Sequence, residues 1–459
     1  MRSGDENSQL YSNTCSGQSN NNDLSCAKCT AFSSTQFKEE MINRYYTPEQ
    51  AKIRQDIYDL VKDNPLFERK YGLSKEQERQ LTHDRAVYII QKLRPFELEH
   101  FRTDPKRFFT FLDTVNNIDF GVAGRSMIHF GLFGGSVLYF GTEKHKQFQD
   151  RIVNDFGKIF GMFCMSEIGH ASNVQQIETL AIYDHQSKTI NIRTPSDSAV
   201  KVWSGGAAQF AQWAVVFAQL VVDKKCGVHA FLVPIRSEKD HSVLPGIRIR
   251  DLGSKIGLNC LDNGRVWFDV KISKDLMLDR FGTIDENGQY KTSIPDESVR
   301  FLAHVQALLI GRIMTASSSL NALKMALEIT LKYAVHRRQF GPTNSGEELQ
   351  IINYLSYQRR LYPYLAFSFV AHFSVEDLKR KYETNSDSKM IHTLASCLKA
   401  KCSDISLLGC QECRKSSGAQ GFLSANRIGE MRDIADASIT YEGDNNVLYQ
   451  TASRNLVRR

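Results

Sequence analysis

The chain has 459 residues, 42% of them hydrophobic, which is enough for a large core and for two or three domains. Its net charge of +7 is not gathered into long Lys/Arg blocks. That argues against nucleic acid as the partner and would suit an anionic small ligand. No run of about 18 apolar residues occurs, so no membrane span is expected, and the N-terminus lacks the apolar stretch of a signal peptide.

Residues 1–35 are rich in Ser, Asn and Gly and are expected to form a disordered polar tail. Residues 36–160 carry helical patterns. Val87, Ile90 and Leu93 follow helical spacing, and Pro48 and Pro105 stand where helices can start. Gly131, Gly134, Gly135 and Gly141 punctuate the Phe-rich stretch 130–140, which reads either as tight helix packing or as a ligand wall.

The period changes over 161–282. Residues 179–183 and 189–193 flank a short polar turn and predict a hairpin. Residues 215–222, 229–235 and 266–270 are further strands, rich in branched and aromatic side chains, with Asp262-Asn263-Gly264 as a turn before the last.

Helical spacing returns over 283–459. Leu309, Ile313, Ala316, Leu320, Leu323, Leu327 and Leu331 form the buried stripe of a long helix. Residues 346–382 predict a second helix, kinked at Pro363, and Ile391, Leu394, Leu398, Cys402 and Ile405 mark a third. A fourth starts at Asn445. Four long helices with short links predict an antiparallel bundle. The fold class expected is α+β: an N-terminal helical domain, a barrel-like or sandwich-like β domain, and a C-terminal helical bundle.

The ten cysteines are scattered, as reduced thiols are. Cys26/Cys29 lies in the polar tail and Cys410/Cys413 in an expected helix, so no shared zinc site is expected.

Four segments carry chemistry. Residues 437–452, around Tyr441-Glu442-Gly443-Asp444-Asn445-Asn446, place one carboxylate at a corner beside a helix start. Either Glu442 is a rigidly held base, or it merely caps or salt-bridges the helix. Cys164-Met165-Ser166-Glu167-Ile168-Gly169-His170 leads into the hairpin, and Lys201-Val202-Trp203-Ser204-Gly205-Gly206 follows it. By itself Trp203 reads as a core aromatic, and His229 as a packing residue. Tyr333-Ala334-Val335-His336-Arg337-Arg338-Gln339-Phe340-Gly341 closes the long helix, with Gly341 expected to end it. Its cations either hold an anion or offset the helix dipole.

Together, in this order and over about residues 40–457, these segments resemble the acyl-CoA oxidases of the acyl-CoA dehydrogenase and oxidase superfamily. Gly227–Arg236, Asp251–Gly257 and Ser416–Phe422 extend the resemblance. It implies Glu442 as the general base on the α-carbon of a fatty acyl-CoA. It implies FAD held by Ser166 and Gly205, with Arg337 and Gln339 reaching the FAD diphosphate of a neighbouring subunit in a homodimer. The implied reaction yields trans-2-enoyl-CoA and passes electrons to O2, giving H2O2, as in the first step of peroxisomal fatty acid β-oxidation. Alternatives are a dehydrogenase using an electron-transfer flavoprotein, a non-catalytic acyl-CoA-binding paralogue, and a cytoplasmic or mitochondrial location.

The sequence departs from the family's pattern in places. Ser166 stands where Thr is usual, and Val202 and Ser204 replace Trp and Pro. Residues 170–176 replace a His-Gly-Thr-His-Leu-Arg-Gly string, and Ala419 replaces a Gly. The family's second helical domain and peroxisomal tripeptide are not seen, which reads as a fragment, a truncation or a shortened member.

Overall fold

The computed structural model describes residues 39, 40, 42, 44–306, 309–342, 346–384 and 387–457. The polar tail expected at 1–35, with Cys26 and Cys29, lies outside the described residues. The chain divides into two compact units, Met1–Lys52 and Ile53–Arg459. Helix α1 (Pro48–Val61) begins on Pro48. Thr47 and Gln50 cap it reciprocally: each backbone N–H donates to the other's side-chain oxygen, at 3.0 and 3.3 Å.

The second unit opens with helices. Ser74 and Gln77 form the same reciprocal cap at the start of α2 (Lys75–Leu93). α3 (Pro105–Ile118) starts on Pro105. Asp119 then caps α4, which runs over 120–140 and widens to a π-helical turn across Met127–Gly134. A methyl on Gly134 would press on Leu98 and Ile152. At that glycine the stretch is therefore a packing surface, not a ligand wall. α5 (Lys146–Asn154) follows. Phe96, Phe101, Phe108, Phe111 and Phe130 are buried together in the helical core. Each is worth about 1.5–3 kcal/mol of burial.

Eight strands make one connected sheet: β1 (Gly161–Cys164), β2 (Leu180–Asp184), β3 (Thr189–Arg193), β4 (Lys201–Gly205), β5 (Trp213–Val222), β6 (Lys224–Pro234), β7 (Ile247–Asp251) and β8 (Asn263–Ser273). β2 and β3 form the expected hairpin, pairing Leu180 with Arg193 through Asp184 with Thr189. β5 pairs antiparallel with β6 along its whole length, while β1 and β2 share its other edge in parallel. β8 carries β3 and β4 on one edge and β7 on the other.

The helices return as α6 (Glu297–Gln306), α7 (Leu309–His336), α8 (Leu355–Thr384), α9 (Ser388–Ser416), α10 (Ile428–Ser438) and α11 (Asn445–Val457). The stripe from Leu309 to Leu327 is buried, as are Ser317, Ser319, Ala322 and Ala326 between its members. α7 is thus enclosed on most sides. The stretch Glu297–His336 has the length and apolarity of a membrane-crossing helix, and 60% of its most apolar window is buried within the protein, as in a core helix.

Three expectations need correction. α7 ends at His336 rather than at Gly341, because Arg338–Gln339 leaves to pair with Leu349–Gln350. For the same reason α8 starts at Leu355 and not near Gly346. The bundle also contains a helix that was not anticipated, α10, whose buried face is Ile428, Met431 and Ile434. The order of helices, sheet and helices gives the expected α+β class.

Candidate active site

Glu442 stands in the tight corner between α10 and α11. Its φ is +57° and that of Gly443 is +105°. A left-handed conformation at a glutamate costs of order 1–3 kcal/mol and persists only where surroundings hold it. Two cations do so. Arg312 on α7 donates from Nε to the Glu442 carbonyl at 3.3 Å. Lys399 on α9 donates from Nζ to the Gly443 carbonyl at 2.6 Å. Arg312 also donates to His392 Nε2 at 2.8 Å, and burial together with Arg312 holds that imidazole down to about 4, neutral and able to accept.

Asn445 locks the start of α11. Its amide nitrogen donates to Ser403 Oγ and Asp404 Oδ1 on α9, at 2.9 and 2.7 Å. The Glu442 carboxylate has no hydrogen bond or ion pair to a described residue. It lies against Gly311, where any β-carbon would overlap its oxygens. Burial raises its pKa, opposed by Arg312 and Lys399. The arrangement is a held, half-buried carboxylate with a free lone pair and a raised pKa, which suits proton abstraction. The capping alternative fails: Asp444 does that work, accepting from the N–H groups of Asn446 and Val447.

On the sheet, Ser166 and Gly205 are brought into one neighbourhood. Val202 N–H donates to the Ser166 carbonyl at 3.0 Å, and Cys164 Sγ and Ser204 Oγ are 3.1 Å apart. A wholly buried ion pair fixes this junction: Lys201 Nζ lies 3.0 Å from Glu167 Oε1, with both side chains at 0% exposure. Lys201 also donates to the Met165 carbonyl, and Glu167 accepts from the N–H groups of Glu178 and Thr179. Breaking such a pair costs about 3–5 kcal/mol. The ladder is bulged between Lys201 and Ser204, and Trp203 takes φ +63° with 60% of its surface exposed. Trp203 is therefore not a core aromatic. A methyl on Gly205 would press on the tip of Ile128, and Gly206 takes φ +86° facing the Phe160 ring, so a side chain at Gly206 would be strained. The Ser166 hydroxyl makes no hydrogen bond to a described residue.

His229 is buried and bonded to the Tyr290 hydroxyl at 2.9 Å, with burial lowering its pKa to about 3. Its place is in the packing.

Arg337 and Gln339 lie together at the far end of α7. The Gln339 amide, with its oxygen toward the guanidinium, accepts from Arg337 Nε and Nη2 at 3.1 and 2.6 Å. They line a cleft of about 500 Å³ with Tyr357, Arg360, Lys415 and the 416–420 turn. The cleft is cationic, with Glu412 accepting from both Arg360 and Lys415. Two of its buried hydroxyls, Tyr357 Oη and Ser416 Oγ, have no partner among the described residues. Buried polar atoms left unmatched at a cationic cleft are suited to an anionic, oxygen-rich ligand. Ala419 sits exposed in the turn at an ordinary φ, so its side chain is accommodated. Phe340 and Phe422, beside Gln339 and the 416–420 turn in sequence, are 84% and 83% exposed.

Glu442 and Arg337 are not brought together. They engage opposite ends of α7, near Gly311 and beyond His336, which the helical rise sets about 37 Å apart. Gly311, Arg312, Lys399 and Tyr357 were not picked out from sequence, and Ser416 was marked only as the start of the 416–422 segment. Of the first four, only Gly311 left a signal, as a glycine within a helical stripe.

Residues 305–457 match the family described as "Acyl-CoA oxidase, C-alpha1 domain". A peroxisomal acyl-coenzyme A oxidase 3 of Arabidopsis thaliana is 36% identical over 418 residues, 87% of this chain and 62% of that protein. The solved structure of Arabidopsis thaliana acyl-CoA oxidase 1 superposes with a TM-score of 0.80 at 29% identity, covering 92% of this chain and 64% of the other. Acyl-CoA oxidase-1 of Caenorhabditis elegans, solved with FAD and ATP, gives 0.77 at 25% identity, covering 91% and 62%. The chain spans about three fifths of the length of the curated relatives it matches. Across that span the chain is similar to the acyl-CoA oxidases, and residues 305–457 match the C-alpha1 domain of that family.

Proposed function

We propose that this chain carries the FAD-dependent α,β-dehydrogenation site of an acyl-CoA oxidase, acting on a fatty acyl-CoA. The observation that carries the reading is the Glu442 corner: a carboxylate of raised pKa, with no ion pair to a described residue, in a strained backbone that Arg312 and the buried Lys399 hold in place. Glu442 takes the α-proton of the thioester. Its own N–H, which donates to no described residue, would bond the thioester carbonyl as enolate charge develops. The chemistry that FAD would supply there is hydride acceptance from the β-carbon and electron transfer to O2, so that the products would be trans-2-enoyl-CoA and H2O2.

The residues present fit that cofactor. The Ser166 hydroxyl is available for the flavin's polar edge, and Gly205 and Gly206 bring backbone close without side-chain bulk. Arg337 and Gln339, with the unmatched hydroxyls of Tyr357 and Ser416, suit a diphosphate. α7 separates this cleft from Glu442 of the same chain by more than one dinucleotide can stretch. The active form is therefore a homodimer in which Arg337 serves the FAD of the neighbouring subunit. Exposed Phe340 and Phe422 support burial of this face. The relatives' names support a peroxisomal setting.

The test is spectroscopic. The purified protein should be yellow, bleach without oxygen on adding a medium- or long-chain acyl-CoA, and recover in air with peroxide formed. A colourless protein after refolding with FAD refutes the reading. Bleaching with slow recovery in air would instead identify a dehydrogenase.

A further inference from the structure

Lys399 stands in the middle of α9, a position where lysines are normally solvated, yet its side chain is fully buried. It makes no ion pair with a described carboxylate. Instead, its ammonium donates to two groups that define the Glu442 corner: the Gly443 carbonyl at 2.6 Å and Asn445 Oδ1 at 2.9 Å. Burying a charge without a carboxylate partner is expensive, and a neutral residue of similar length would fill the space. The charge therefore calls for a purpose beyond packing.

Resting on the oxidase reading, we infer that Lys399 is a positioning residue for the base. It clamps the left-handed turn at Glu442 and Gly443 and supplies a fixed positive charge that keeps the neighbouring carboxylate ionised for proton abstraction.

The charged groups around the corner support this division of labour. From α7, Arg312 bonds the Glu442 carbonyl rather than its carboxylate. Behind it, His392 on α9 is neutral. Asp404, also on α9, is occupied by Asn445 and by the Tyr449 hydroxyl of α11. Asp444 caps α11. Tyr441, next in the chain, bonds Ser438. Both cations thus bind backbone carbonyls flanking the base, so they act on it through space while its oxygens stay free for the substrate's proton. An ion pair would have blocked those lone pairs. Burial lowers Lys399 to about 8, with Glu442 and Asp444 opposing, so it stays mostly charged at neutral pH.

The experiment titrates Glu442 directly. Protein carrying 13C-labelled glutamate side chains is followed by NMR against pH, and the Glu442 signal is identified by its absence from Glu442→Gln. Lys399→Gln keeps a donor but loses the charge. It should move the Glu442 midpoint up by about one pH unit, and Lys399→Arg should leave it near the parent value. In flavin reduction by acyl-CoA, Lys399→Gln should lower kcat at neutral pH, shift the acid limb of the pH profile the same way, and leave KM little changed. An unchanged midpoint in Lys399→Gln overturns the inference, as does an equal shift in Lys399→Arg. If the neutral variant does not fold, the parent decides. Its Glu442 carbon should show a second inflection near pH 8 as Lys399 loses its proton, and a single smooth titration overturns the coupling. A parent that never bleaches with acyl-CoA refutes the oxidase reading instead, and leaves these titrations readable.

Discussion

The two ends of α7 are built to opposite standards. At Gly311 the Glu442 corner is finished within one chain: carbonyls bonded, helix start capped, carboxylate seated where a β-carbon is missing. Beyond His336 the Arg337 cleft is open, with two buried hydroxyls unmatched and two phenylalanines almost bare nearby in sequence. On the proposed roles, a proton-transfer group is made rigid before the substrate arrives, whereas a cofactor-phosphate site can be completed by its ligand and by another subunit.

The strongest way to break this contrast is at the base. Glu442→Gln keeps size and polarity but cannot accept the proton. Flavin reduction should slow by about 10²–10⁴ in stopped-flow traces, with flavin content near normal. Parent-like reduction would mean another base. Gly311→Ala tests the seat itself. The added methyl overlaps only the tip of the Glu442 side chain, so the fold should survive while reduction slows by about tenfold to a hundredfold. An equal loss of thermal stability and rate would instead make Gly311 a packing residue.

At the other end, Arg337→Ala should weaken FAD binding about ten- to a hundredfold with the fold intact, read by flavin-to-protein ratio and sedimentation beside the parent. A monomeric parent that keeps full flavin would refute the shared site. Unchanged affinity in the variant would return Arg337 to a helix-dipole role.

The smallest effect is on stability. Because the fold raises the Glu442 pKa, ionising it costs stability as pH rises through its folded value. Below the ordinary carboxylate value, the group is protonated in both states and nothing is lost. Glu442→Gln should therefore be slightly more stable than the parent at pH 7 in urea unfolding, and the gain should vanish near pH 4. A gain that persists at pH 4 would point to packing.

What was legible in the sequence follows from how local each signal is. Alternation marked the 180–193 hairpin, and a seven-residue apolar stripe marked α7. The end of α7 was misplaced because the hook after it depends on Arg338 pairing with Gln350, a contact that no local period reveals. α10 was missed because it is short and its buried stripe holds only three large apolar residues, Ile428, Met431 and Ile434, with Glu430, Arg432, Asp433 and Asp436 on its other faces. The Glu442 corner was visible in its own cluster of cap-type residues. Its supports were not: Arg312 arrives from 130 residues away and Lys399 from 44. A lysine in a helix gives no sign of being buried, and Trp203 gives none of standing exposed.

The length of α7 has a genetic consequence. If one chain contributes Glu442 to its own active site and Arg337 to its neighbour's, two defective alleles can rescue each other. In a mixed dimer of Glu442→Gln and Arg337→Ala chains, one site receives both lesions and the other receives neither. Random mixing in equal amounts should restore about one quarter of the sites to the parent state. Two copies of either allele alone would restore none.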